Sequence, residues 1–239
     1  DYHGRVLSRT LPEGMSESFV YDDTARTQTH TDFNGRSTVT RYDVMGRVER
    51  IEYHDGNVEN FTYWNNDQIH TVIDQHGTTT YTYDNRDRLD TETQPDGTVL
   101  DYDYDDAGNR TEVKLTRNNS VVSTTTYLYD DLNRLETVTD AQGITRYTYD
   151  DAGNLDTLTY PNGIVLDYDY NSVNQLDLLT TRTASGSIIQ SYDYTLDDTG
   201  RRRAILEANG RHTQYSFDDL YRLTSETITD AVNGHYSTS

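Results

Sequence analysis

The stretch Thr98-Val99-Leu100-Asp101-Tyr102-Asp103-Tyr104-Asp105-Asp106-Ala107-Gly108-Asn109 decides the fold. Leu100, Tyr102 and Tyr104 alternate with Val99, Asp101 and Asp103, the two-residue period of a strand. Asp105 to Asn109 then reads as a turn, because Gly108 supplies the left-handed backbone that closes a type I turn with a glycine bulge. A second alternating segment follows through Thr116. The unit is a β-hairpin.

Working outward, an aromatic or Leu anchor followed by a turn recurs at Tyr21, Tyr42, Tyr63, Tyr83, Tyr104, Tyr129, Tyr149, Tyr170, Leu196 and Phe217. Successive anchors lie 20 or 21 residues apart, except for two intervals of 25 and 26. Those two are expected to carry expanded loops around Arg117–Ser120 and Thr183–Ser187. A fixed period of this length marks a repeat array.

Turn chemistry tests the register. In the first turn of each unit the left-handed position is expected at Gly4, Ala25, Gly46, Asp67, Asp87, Gly108, Asn133, Gly153, Asn174, Gly200 and Tyr221, mostly residues that tolerate positive φ. The second turns use the remaining glycines, from Gly14 and Gly35 through to Gly210 and Gly234. All 15 glycines are thereby placed in turns, and none is left for a phosphate-binding loop. Pro12, Pro95 and Pro161 each precede a second-turn glycine and shape that turn. Arg201–Ala208 has a helix-favouring composition, but its place in the repeat predicts a strand.

Composition sets the rest. The 239 residues carry a formal charge of −21, so the surface repels nucleic acid and anionic membranes. Cysteine is absent, which removes disulfides, thiolate metal sites and Cys nucleophiles. No apolar run approaches a membrane span. Leu, Ile, Val and Phe make up just under a fifth of the chain, a proportion typical of disorder. The 21 tyrosines, at a fixed interval, overrule that reading.

Hairpins joined in series by short turns pair with their neighbours. The fold class is therefore all-β: tandem antiparallel hairpins forming one long curved or spiral sheet. Too few aliphatics are present for a sandwich core, so both faces are expected to be partly wet, with tyrosine ladders packing across strands.

The pattern Tyr-x-Tyr-Asp-x-x-Gly-Asn/Arg-Leu recurs in Tyr102–Arg110 and Tyr147–Leu155 and, degraded, in Tyr127–Leu135 and Tyr215–Leu223. It resembles the YD repeat of the Rhs and teneurin group over essentially the whole chain. That resemblance implies a hollow β-shell, which bacterial members use to enclose a C-terminal toxic polypeptide. It implies a non-catalytic, secreted or cell-surface bacterial protein whose partners are a cargo polypeptide and further repeats of the same chain. The self-cleaving segment that usually ends the bacterial repeats is rich in Asp-Pro-Gly, and Asp-Pro occurs nowhere here. No catalytic residue carries over. Residues 1–239 are expected to be a single array of about eleven repeats, cut within a repeat at both ends and belonging to a larger protein.

Candidate sites follow from what breaks the pattern. Asp103, Asp105, Asp106 and Asn109 superficially suggest a calcium loop, but the first Asp of each turn is better read as a cap on backbone N–H groups. The evenly repeated carboxylates single out no hydrolytic pair. The histidines show no short metal-ligand spacing apart from His70 and His76, six residues apart. No cofactor is implied. At Tyr63-Trp64 the anchor is followed by Trp instead of Asp, and these aromatics beside Asn65 and Asn66 are the candidate for stacking on a sugar ring. The alternative function is accordingly a carbohydrate- or protein-binding adhesion module. Unpaired sheet edges add an expectation of edge-to-edge self-association.

Overall fold

A computed structural model describes residues 1–230 and 234–238. No helix occurs among them, and the chain forms two compact units. One comprises Asp1–Asp103 with Glu112–Ser123, the other Tyr104–Thr111 with Thr124–Ser239. In the first, the strands from Ser8–Thr10 to Val99–Tyr104 each pair antiparallel with the strands before and after them in sequence. In the second, the same order runs from Ser120–Tyr129 to Gly234–Thr238. The tandem antiparallel hairpins expected from the repeat are therefore present, and Arg202–Glu207 is a strand despite its composition.

The anchors mark the register. The ladder shifts by one residue at Tyr42, Tyr63, Tyr83, Tyr129, Tyr149, Tyr170, Leu196 and Phe217. This is the bulge that a type I turn with a left-handed fourth residue demands. Positive φ occurs at ten of the eleven predicted positions, including Asp67, Asp87, Asn133, Asn174 and Tyr221.

Ala25 is the exception: the left-handed residue there is Arg26, with φ 54°. Alanine gains nothing in that conformation, and the ladder continues unbroken to Asp22 opposite Thr27, leaving a four-residue loop. Arg26 is held by its Nε, which donates to the Tyr42 carbonyl at 3.0 Å.

The long intervals are not expanded loops. Arg110–Arg117 and Ser120–Tyr129 are 8 and 10 residues long and meet at Asn118-Asn119, both at positive φ. This is the two-residue hairpin favoured by sheet twist. Leu176–Arg182 and Ile188–Leu196 are likewise long, and the turn between them closes like its neighbours, with the Gly186 N–H on the Thr183 carbonyl. Length was added to strands, where each extra pair makes ladder hydrogen bonds. The last second turn expected, the one ending at Gly234, falls on 231–233 and so lies outside the described residues.

Both faces meet water. Among the described residues, Tyr194, Ala204, Thr98, Thr137, Thr180 and Thr213 are buried and no large side chain is fully buried. Threonines pair across strands in place of an oily layer: the hydroxyls of Thr62 and Thr71, Thr82 and Thr91, and Thr148 and Thr157 each lie 2.7 Å apart. Stacking between tyrosines is described only for Tyr192 and Tyr194, at 6.3 Å. The anchors have other partners.

Candidate functional site

Most first turns are built on one carboxylate, while Asn171 caps one with its amide oxygen. Asp130 Oδ1 accepts the N–H groups of Leu132 and Arg134, and its Oδ2 accepts Arg134 Nε at 2.7 Å. Asp43, Asp84, Asp197 and Asp218 do the same for the arginine four residues on. In two turns the fourth-on residue is Asn109 or Asn154, whose side-chain amide donates to Asp105 or Asp150. These are Asx caps, as the sequence predicts, carrying a charge-assisted bond that it did not reveal.

The arginine so fixed is a platform for the next hairpin. The guanidinium of Arg134 lies 4.4 Å from the Tyr149 ring centre, that of Arg47 4.5 Å from Tyr63, and that of Arg5 4.2 Å from Tyr21. The anchor hydroxyl then donates to the carbonyl of the residue that follows the platform: Tyr149 to Leu135 at 2.9 Å, Tyr63 to Val48 at 2.6 Å, Tyr21 to Val6 at 3.1 Å. Asp, Arg and Tyr thus form a staple running from one hairpin into the next.

A second arm reaches the following turn. Arg5 bonds Asp23, Arg47 bonds Asp67, Asn109 bonds Asn133 and Asn154 bonds Asn174. The sequence explains Asp67, Asn133 and Asn174 by tolerance of positive φ alone. The structure adds a second reason, since glycine there would leave the preceding arm without its acceptor.

The caps are electrostatically committed. Asp84, Asp130 and Asp218 are held below the ordinary carboxylate range, chiefly by the backbone N–H of Arg88, Arg134 and Arg222, with the guanidinium adding to it. Asp105 and Asp150 are lowered chiefly by the side chains of Asn109 and Asn154, and Asp197 chiefly by the Thr199 hydroxyl. A carboxylate whose folded pKa is depressed stabilises the fold above its unfolded value, about 3.9, and that contribution disappears as pH falls through the folded value. The −21 charge works oppositely, since partial protonation relieves self-repulsion. Urea midpoints are expected to be level between about pH 7 and 5 and to fall steeply below about pH 4. A midpoint that held or rose down to about pH 3 would contradict the role of the caps.

Tyr63 and Trp64 part company. Tyr63 is occupied in the staple. Trp64 stands where most other first turns have the capping Asp; its N–H donates to Gln68 O at 2.8 Å, and the Gln68 N–H donates to the Asn66 side-chain carbonyl at 3.4 Å. The indole Nε1 donates to the Tyr81 carbonyl at 3.1 Å, and the ring lies 4.0 Å from that of His70, tilted by 42°. Asn66 and Gln68 both bond Asp87 in the next turn, standing in for the missing arginine arm. Trp64 remains 42% exposed and borders a shallow concavity of about 430 Å³, with Asn65, Thr82, Tyr83 and Asp84 on its walls. Among the described residues no group of three or more His, Asp or Glu is placed to hold a metal ion.

The family model of the teneurin YD-shell matches residues 5–239. The chain belongs to the teneurin YD-shell family. It is accordingly a segment of a structural shell, and the Asp-Arg-Tyr staple is the physical content of its YD signature. A search of the curated proteins finds no match. Among solved structures, the YD-shell chain is similar to TcdB2-TccC3, at 15% identity over 94% of this chain and 19% of that one, with a TM-score of 0.33. It is similar to the Tc holotoxin pore of Photorhabdus luminescens, at 15% identity, 94% and 19% coverage and a TM-score of 0.31. It is also similar to a porin-like protein from Bacteroides uniformis, at 14% identity, 93% and 96% coverage and a TM-score of 0.34. The chain spans about a fifth of the length of the first two.

Proposed function

We propose that this chain is a non-catalytic stretch of shell wall that encloses a polypeptide cargo, in the manner of a toxin carrier, within a larger secreted or surface-exposed bacterial protein. One observation carries the reading: the stabilising groups of each hairpin are spent on the next hairpin, while both faces of the sheet stay wet. Such a sheet needs no second layer to fold against. It can separate two aqueous spaces. Further repeats of the same protein extend the wall, and the enclosed polypeptide is the partner.

The test uses the whole parent protein that contains residues 1–239. Polypeptide downstream of the repeats is expected to be digested by trypsin at least about a hundredfold more slowly than the same segment expressed alone, with equal rates once the wall is unfolded in urea. Equal rates in the native protein would remove the enclosing role.

A further inference from the structure

The two rims of the hairpin array are chemically unlike. In the second unit the turn residue just before the left-handed one is, along the first-turn rim, Ala107, Leu132, Ala152, Val173, Thr199 and Leu220. On the opposite rim the same place is taken by Gln142, Asn162, Ser185 and Asn209. Leu132, Val173 and Leu220 are 70%, 67% and 70% exposed, whereas among the described residues no second-turn tip carries an exposed large apolar side chain. Turns favour Asn, Asp, Ser and Gly at such a position, so the conformation does not call for Leu or Val.

The first-turn tips are neighbours in space in chain order. Asn109 bonds Asn133, Asn154 bonds Asn174, and the Arg201 guanidinium lies 4.2 Å from the Tyr221 ring. Large and small side chains therefore alternate along one line, one tip for every two strands. At about 4.8 Å per strand the tips are about 10 Å apart.

A carboxylate accompanies most of these tips. Asp131, Asp151, Asp198 and Asp219 each immediately precede the tip residue, are exposed, and have no hydrogen-bond or ion-pair partner described. The capping Asp of the same turn is consumed by its arginine or asparagine, so these four carboxylates are charges that the fold does not use.

We propose that this rim binds a cationic amphipathic helix lying along the row of turn tips. A second copy of the same rim would set carboxylate against carboxylate, and nucleic acid or an anionic membrane meets the same repulsion. An extended strand finds no unpaired sheet edge along a rim of turns, so its own backbone N–H and C=O groups would go unsatisfied there, whereas a helix satisfies its own. A helix repeats its face every seven residues, about 10.5 Å. The partner thus carries one apolar residue and one Lys or Arg per heptad, its apolar row seated between Leu132, Val173 and Leu220 and its cations over the four aspartates.

A fluorescein-labelled peptide of about four heptads, with Leu and Lys or Arg at heptad spacing, tests this against a scrambled peptide of identical composition. By anisotropy the heptad peptide is expected to bind at least about tenfold more tightly than the scrambled one, and more weakly as salt is raised. Two variants each lose that advantage: Leu132→Ser with Val173→Ser and Leu220→Ser, and Asp131→Asn with Asp151→Asn, Asp198→Asn and Asp219→Asn. Neither set touches the staple, and thermal unfolding unchanged from the parent confirms an intact fold. Equal binding of the two peptides, or full binding by either variant, overturns the proposal. A dimer that forms without peptide and is abolished by the serine variant would assign the rim to a second copy instead.

Discussion

Tyr149→Ala is expected to cost the folded chain about 2–3 kcal/mol, and Tyr149→Phe about 1 kcal/mol. The alanine variant loses the ring beneath Arg134 and the hydroxyl bond to Leu135 together; the phenylalanine variant loses only the bond. The first cost is set below that of a fully buried aromatic because Tyr149 is only half-buried. Its position makes it large nonetheless. In an array where each hairpin touches only its neighbours, stability is a sum of nearest-neighbour terms, and Tyr149 sits in the interface between two of them. Urea unfolding of Tyr149→Ala should therefore broaden or split, with hydrogen exchange quickening first at Leu135–Asp140 and Gly143–Tyr149. A cost below about 0.5 kcal/mol, or equal costs for Phe and Ala, would show that the platform contributes nothing.

Which parts of this were legible beforehand follows from range. The hairpins, bulges and caps depend on residues within one turn and its two flanking strands, so alternation and the place of Gly, Asn and Asp expose them. Ala25 shows the limit: once the fourth residue tolerates no positive φ, a longer loop with Arg26 left-handed competes, and local chemistry does not say which wins. The misplaced loops at Arg117–Ser120 and Thr183–Ser187 have a related cause, since an interval between anchors counts residues without saying whether they extend strands or turns. Asn118-Asn119, a dipeptide that favours a tight two-residue hairpin, was the available clue.

The staple was hidden because its members lie far apart in sequence. Arg134 meets Tyr149 and Arg47 meets Tyr63 across 15 and 16 residues, through a register fixed only once the strands have paired. The visible signal is an arginine four residues after many of the capping Asp residues, as in Asp43–Arg47, Asp130–Arg134 and Asp218–Arg222. Read as surface charge, it is unremarked; read as a guanidinium locked by its own turn, it needs a ring to cover. Tyrosine ladders were the natural expectation for so many aromatics, yet a chain of net charge −21 profits more from placing its few arginines over them.

The same principle of one hairpin docking on the next governs the opposite rim, and there glycine is required for space as well as for φ. A Cβ on Gly143, at φ 127°, would stand 2.9 Å from the Cβ of Pro161 in the following second turn, and Gly77 faces Pro95 at 2.8 Å in the same way. Gly210, at φ 86°, has nothing within 4 Å of the equivalent point. Gly210→Ala should thus cost only the backbone penalty of about 1 kcal/mol, and Gly143→Ala about 2–4 kcal/mol because strain and overlap add. Proline is rigid and cannot retreat, so the overlap must be relieved by shifting one turn against the next. Removing the obstacle separates the two terms: in the double variant Gly143→Ala with Pro161→Gly, measured against Pro161→Gly alone, the cost of the alanine should fall to the backbone strain of φ 127°. If denaturation midpoints show the same cost with and without Pro161, the contact between successive turns is not what keeps glycine at 143.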